Sequence, residues 1–252
     1  MIPDPSPTDL ISGRVTEIEE SLGRRLRASS IPDVELSHNA ALYMPPRILK
    51  RVLFLNHLYQ LALPVHGVIM QFGVRWGRDL AVFDSLRTIY EPFNLSRRVI
   101  GFDTFEGFPA VHAKDGTDSI IGEKRFGTAP GYAEELASLI AERQSLDPLP
   151  AQQRCEIRQG EAGAQLRQYL ADRPETIVSL AYFDFDIYEP TKDCLEQLKA
   201  HVTKGTVMVF DELGLAHSPG ETIALKEVYG LDKIRLQRSR DYSGQPSYFI
   251  VE

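Results

Sequence analysis

Apolar positions recur along the chain first with a helical period and then with an alternation of short extended and helical runs. Ile11, Val15, Ile18, Leu22 and Leu26 follow one another at three- and four-residue steps, with Glu17, Glu19, Glu20, Arg24 and Arg25 between them. That spacing predicts an amphipathic helix whose stripe is buried either by a partner subunit or by the rest of the chain. Pro3, Pro5 and Pro7 make a stiff lead-in, and Thr8 and Asp9 offer its N-cap. A second helical pattern runs from 46 to about 62 and stops before Pro64. From Gly67 onward the spacing predicts strands at 68–72, 98–102, 154–158, 177–185, 206–210, 233–237 and 247–251, with helices at 78–90, 132–145, 162–171, 190–201 and 220–229. Such alternation gives a Rossmann-like α/β fold: a mostly parallel sheet covered by helices on both faces, closed by a C-terminal antiparallel hairpin. The expected organisation is an N-terminal helical extension, 1–64, serving oligomerisation or covering substrate, and a main domain, 65–252. The glycine-bearing, mixed-charge stretch 111–131 reads as a lid.

Composition narrows the partners. Apolar residues make up 43% and charged residues 25% of 252 residues, an ordinary globular mixture. The net charge of -7 repels phosphate backbones, so nucleic acid is not expected. No run approaches the roughly 20 apolar residues of a membrane helix, and the first residues lack a basic-then-apolar leader pattern, so the expected location is cytoplasmic and no membrane partner is expected. Cys155 and Cys194 are too few for a disulfide framework and lack zinc-ligand spacing.

Candidate chemistry collects where the predicted strands end, the edge at which open α/β sheets bind ligands. The first strand opens into Gln71-Phe72-Gly73-Val74-Arg75-Trp76-Gly77-Arg78, whose glycines and following helix N-terminus suit a carboxylate or phosphate, or serve only to pack helix on strand. The second ends in Gly101-Phe102-Asp103-Thr104-Phe105-Glu106-Gly107-Phe108, where Asp103 either accepts two ribose hydroxyls or caps its own turn, and the phenylalanines suggest an apolar pocket. At Gly160 and Glu161 the third strand meets either an adenine edge or an N-cap. The fourth ends in Asp184-Phe185-Asp186 and the fifth in Asp211-Glu212. Carboxylates gathered at neighbouring strand tips repel and are costly to desolvate, so either each is solvated by itself or a cation lies between them, and all-oxygen donors then point to a hard cation such as Mg²⁺.

Together these segments resemble the macrocin O-methyltransferase family, class I S-adenosylmethionine-dependent enzymes that methylate sugar hydroxyls in antibiotic biosynthesis. The resemblance spans roughly 67–252 and rests on the segment 101–107, on Asp184-Phe185-Asp186-Ile187-Tyr188-Glu189-Pro190-Thr191 and on Pro219-Gly220-Glu221-Thr222-Ile223-Ala224. It implies that Gln71, Gly73, Gly77, Asp103, Thr104, Gly160 and Glu161 surround S-adenosylmethionine, with Asp103 on the ribose. It also implies that Asp184, Asp211 and Glu212 bind Mg²⁺ and that Asp186 is the general base. Gln71 stands where the family has an acid, and Glu212 where it has a second aspartate. Among the histidines, His217, a few residues beyond the metal-pair loop, serves either catalysis or only the surface loop it stands in; His112 could reach substrate from the lid.

The expected activity is therefore Mg²⁺-assisted methyl transfer to a hydroxyl of a sugar or glycosylated metabolite, by a homo-oligomer. Two other classes remain open from the sequence: a glycosyltransferase using Asp184-Phe185-Asp186 as its metal motif, and a dimeric binding protein that keeps the fold.

Overall fold

The computed structural model describes residues 7–116, 122, 124–239 and 246–252, with side chains described from residue 13 onward. It divides into two compact units, Met1–Val52 and Leu53–Glu252.

The first unit holds α1 (Pro7–Arg27), α2 (Asp33–His38), a 3-10 turn at Ala40–Tyr43 and the start of α3 (Pro46–Ala62). Arg24, Arg25 and Arg27 sit in the last turn of α1, where cations complement the carbonyl end of the helix. Arg47 forks onto Glu19, with Nη2 donating to Oε2 at 2.5 Å. The expected stripe on α1 faces outward: Val15 is 45% and Ile18 50% exposed, while Leu22 is half-buried. Ile11's side chain lies outside the described set.

In the second unit, six strands form one sheet in the order β3-β2-β1-β4-β5-β6. They are β1 (Val68–Phe72), β2 (Val99–Asp103), β3 (Cys155–Gln159), β4 (Val178–Phe183), β5 (Val202–Phe210) and β6 (Ser247–Ile250). All pair in parallel except β6, which runs antiparallel to β5. The connecting helices are α4 (Arg78–Tyr90), α5 (Tyr132–Gln144), α6 (Ala162–Asp172), α7 (Tyr188–Leu198) and α8 (Gly220–Val228). Phe54, Leu55, Leu58, Tyr59 and Ala62 bring the second half of α3 into the core of this unit, which is why the compact unit begins inside that helix.

One predicted strand is not there. Residues 233–237 follow a 3-10 turn at Leu231–Lys233, and only Gln237 pairs, in a single antiparallel bridge to Tyr248. Tyr248 already pairs with Val209 on its other side, so the expected terminal hairpin contracts to one residue pair beside a β5–β6 ladder.

Register turns sequence into a floor for the site. Phe72 pairs with Phe102 and Phe183, and Phe183 with Phe210, so rings stack across the strand ends with centroids 5.0, 4.7 and 5.1 Å apart. Each ring is fully buried, worth about 1.5–3 kcal/mol apiece in transfer free energy, and each stacked pair adds about 0.5–1.5 kcal/mol. A stiff apolar layer thus underlies the polar residues that emerge one position later.

Candidate active site

The carboxyl ends of β1, β2, β4 and β5 surround a cavity of about 510 Å³. It lies where β1 has β2 on one side and β4 on the other, the switch point at which α/β sheets open a crevice.

One wall is the turn from β1 into α4. Gly73 has φ 89°, and a Cβ there would meet the Asp184 carbonyl oxygen at 2.0 Å, so only glycine lets this backbone approach the tip of β4. Asp103 fixes the turn from the neighbouring strand. Its Oδ2 accepts from Val74 N at 2.6 Å and Arg75 N at 2.7 Å, and its Oδ1 accepts from Phe105 N at 2.7 Å. Arg75 is held there at φ 49°, an uncommon conformation for a residue with a side chain. Asp103 therefore caps its own turn, clamps the glycine loop and still borders the cavity. Thr104 lines it as well, with Oγ1 donating to the Gly107 carbonyl at 2.8 Å. Gln71 is 2% exposed; its Nε2 donates to the Gly73 carbonyl at 2.8 Å, while its buried Oε1 has no donor. That orphan acceptor on the cavity wall fits an ammonium group, and Arg78 and Asp79, in the first turn of α4, line the same cavity at the helix end whose dipole suits a carboxylate. A methionine moiety offers both groups.

Three expected residues lie elsewhere. Gly77 is absent from the cavity lining and is backed by Leu136, 2.6 Å from where its Cβ would be, so it packs α4 on α5. Gly160, also off the lining, donates its N–H to the Asp103 carbonyl at 2.9 Å. Asp211 is turned away too: Val209 pairs with Tyr182, and strand alternation carries Asp211 to that same face, where its Oδ1 accepts the Tyr182 hydroxyl. Glu161 does border the cavity, yet its carboxylate caps α6, accepting from Gly163 N at 2.9 Å and Ala164 N at 2.7 Å. Of the phenylalanines expected to form a pocket, Phe102 and Phe105 belong to the core and Phe108 lines the cavity. Part of the expected lid lies outside the described residues; its flanks are fixed, with Phe108 N donating to the Arg125 carbonyl at 3.1 Å and Lys124 N to the Phe108 carbonyl at 3.0 Å.

The opposite wall is acidic. Asp184, Asp186 and Glu212 each bring one carboxylate oxygen within 4.8 Å of the others. Behind them sits Glu221, fully buried at the start of α8, whose Oε1 accepts from Phe185 N at 3.0 Å and Asp186 N at 3.3 Å and whose Oε2 accepts from Glu212 N at 3.3 Å. Burial, then a hydrogen bond to Asp186 and the charges of Glu221, Asp186 and Asp211 push the Glu212 carboxyl up to about 12. Burial and the Asp186 charge push Glu221 up as well, against the backbone N–H groups it accepts. Glu221 had a signal in the sequence, since it stands second in the Pro-Gly-led helix, but its contacts are long-range. His217 lies exposed on the cavity rim. His112 instead caps the 3-10 turn Ala113–Asp115 through Nδ1 and stacks near Tyr188. Cys155 and Cys194 are buried free thiols.

A parallel sheet with this crevice, a glycine turn tied to an acid on the next strand, and an orphan acceptor suited to an ammonium group match a class I S-adenosylmethionine-binding site. The chain is similar to calicheamicin methyltransferase CalS11, with 38% identity over 98% of this chain and 94% of that one at a TM-score of 0.90. A second structure, apo CalS11, described as a TDP-rhamnose 3'-O-methyltransferase of calicheamicin biosynthesis, matches at 35% identity over 98% and 96% of the two chains with a TM-score of 0.82. The O-methyltransferase NovP shares the fold at 18% identity, 80% and 79% coverage and a TM-score of 0.60. No protein-family profile matches the chain, and no curated protein matches it. The chain belongs to the CalS11 family of class I S-adenosylmethionine-dependent O-methyltransferases, and it is such an enzyme. The resemblance to macrocin O-methyltransferase is consistent with that placement, which decides against the glycosyltransferase and the non-catalytic binding protein.

Proposed function

We propose that this enzyme methylates a hydroxyl of a sugar carried on a nucleoside diphosphate, with Mg²⁺ at the acidic wall. The observation that carries the metal is the juxtaposition of Asp184, Asp186 and Glu212, together with the buried Glu212 Oε2, which has no hydrogen-bond partner. An all-carboxylate donor set fits a hard cation. A nucleotide-linked acceptor is supported by the substrate in the CalS11 description and by Arg75 and Arg125. Both line the cavity, and among the described residues neither guanidinium forms an ion pair. Aromatic rings accompany them: Arg75 lies over Phe126 at 5.0 Å, and Trp76 packs edge-on against Tyr132 at 4.8 Å.

When bound, the cofactor supplies the methyl group on its sulfonium, and the cation lowers the pKa of the acceptor hydroxyl. The chain's own residues do the rest. Gln71 Oε1 and the start of α4 hold the methionine end, and Asp103 the ribose. Asp184 and Glu212 hold the cation, and Asp186 accepts the hydroxyl proton. Phe108 and Phe126 exclude water from the reacting oxygen. Assembly as a homo-oligomer through the exposed stripe of α1 belongs to the same reading; light scattering showing only monomer would remove it. No helix among the described residues is long and apolar enough to cross a membrane.

Methyl transfer to nucleotide-linked and free sugars, with and without chelator, tests the proposal. Activity is expected only with Mg²⁺ and to be higher on the nucleotide-linked form. Asp186→Asn should keep most Mg²⁺ affinity and lower turnover about 10²–10⁴-fold. Loss of the metal together with turnover would make Asp186 a ligand and move the base to His217; full activity in chelator would end the metal assignment.

A further inference from the structure

Asp186 stands at φ 62°, in the left-handed region that aspartate enters only at a cost. It lies between a core-bound strand and α7, so something must hold it there. The residues leading into α8 and its first turn do so from both sides. Ser218, 2% exposed, donates its Oγ to the Asp186 carbonyl at 3.1 Å, and Glu221 Oε1 accepts the Asp186 N–H. Gly220 makes the approach possible: a Cβ there would lie 3.0 Å from the Asp186 carbonyl oxygen and 2.7 Å from Tyr188 N. The same carboxylate reaches across to β5 through Glu212 N.

Resting on the reading of Asp186 as the base, we propose that Ser218, Gly220 and Glu221 form a clamp that holds the left-handed Asp186 backbone and fixes it against Glu212. These are positioning residues, since none of them needs to touch substrate. A side-chain carboxyl is suited to the task because its two oxygens accept N–H groups from two different loops at once. In the half-buried loop after β4 the Phe185 and Asp186 amides take their acceptor from Glu221. Methyl transfer is sensitive to displacement of about 1 Å in a proton acceptor, so a loosened clamp is read in turnover.

The test compares Ser218→Ala, Glu221→Gln, Asp186→Asn and the double variant Asp186→Asn/Glu221→Gln in turnover, in the KM of both substrates and in calorimetric affinity for S-adenosylmethionine and Mg²⁺. Ser218→Ala and Glu221→Gln should each lower kcat about tenfold or more, with cofactor affinity within about twofold of wild type. Glu221→Gln should also weaken Mg²⁺, because Glu212 N loses its acceptor. At saturating Mg²⁺ the double variant should turn over no more slowly than Asp186→Asn alone, since the clamp acts through Asp186. Independent, multiplying losses would overturn the clamp, as would normal kcat in both single clamp variants beside an impaired Asp186→Asn. Normal turnover in Asp186→Asn would instead end the base reading, and the clamp with it. If Glu221→Gln does not fold, Ser218→Ala paired with Asp186→Asn carries the same non-additivity test.

Discussion

The two ends of the sheet bury charge in opposite ways. At the amino ends of the strands Arg97 is 2% exposed, and its guanidinium is saturated: Nη1 donates to the Gly67 carbonyl at 2.6 Å and to Ser179 Oγ, Nη2 to the Val65 carbonyl at 2.9 Å, and Nε to Glu91 at 2.7 Å. Glu91 takes further bonds from Tyr59 and Asn94; burial opposes its ionisation, but the Arg97 bond first and then these two hold its carboxyl below the usual range. At the carboxyl ends, Asp186, Glu212 and Glu221 crowd together, and among the described residues no lysine or arginine bonds to them. A buried charge with its complement at hand ties a fold together; acids crowded together without a cation beside them mark a place where a ligand supplies it.

Breaking the first network should cost the most. Arg97→Met leaves several carbonyls and Glu91 without their donor, and an unfolding free energy lower by about 3–5 kcal/mol is expected in urea denaturation. A loss under about 1 kcal/mol would mean that Arg97 is ornamental and the contrast false.

At the other end the sign should reverse. Glu212→Gln removes a carboxyl that the metal-free protein keeps protonated, so stability in the absence of cation should rise by about 1–2 kcal/mol at pH 8. The direction comes from the raised value. A carboxyl held up to about 12 in the fold but near 4.5 unfolded contributes fully below pH 4.5 and progressively less as pH rises toward 12. The gap between variant and wild type should therefore be smallest near pH 5 and widen with pH, and saturating Mg²⁺ should close or invert it. A variant no more stable than wild type at any pH would show that the acids are balanced by something within the chain.

A smaller effect sharpens the comparison at the cofactor. Asp103 borders the cavity, and its partners, the backbone N–H groups of Val74, Arg75 and Phe105, are present. Asp103→Ala should weaken S-adenosylmethionine binding at least about tenfold by calorimetry while leaving Mg²⁺ affinity alone. Unchanged cofactor affinity would reduce Asp103 to a turn-former.

Much of the fold is legible in the sequence for a physical reason. Strand and helix positions are written in local periodicity, so β1 and α4 fall on the predicted residues, and the strand-tip acids stand directly after the apolar runs that mark each strand. Where the local pattern weakens, it misleads: 233–237 alternates like a strand, but only one of its residues finds a partner. Asp211 and Glu212 illustrate the limit more sharply. Adjacent acids at one strand tip are indistinguishable in sequence, yet the pleat sends Asp211 to Tyr182 and leaves Glu212 with Asp184 and Asp186.

The chain alone determined the set of groups available: a glycine turn, an aspartate on the next strand, acids at two further tips and the family pattern that orders them. Tertiary structure decided which of them face one cavity, that Gly77 and Gly160 serve packing and backbone pairing, and that Glu221, distant in sequence, lies against Asp186 and Glu212. Local residue preferences act over a few positions, whereas facing, burial and the pairing of a carboxylate with amides on another loop depend on how strands register and helices dock, which no short window of sequence contains.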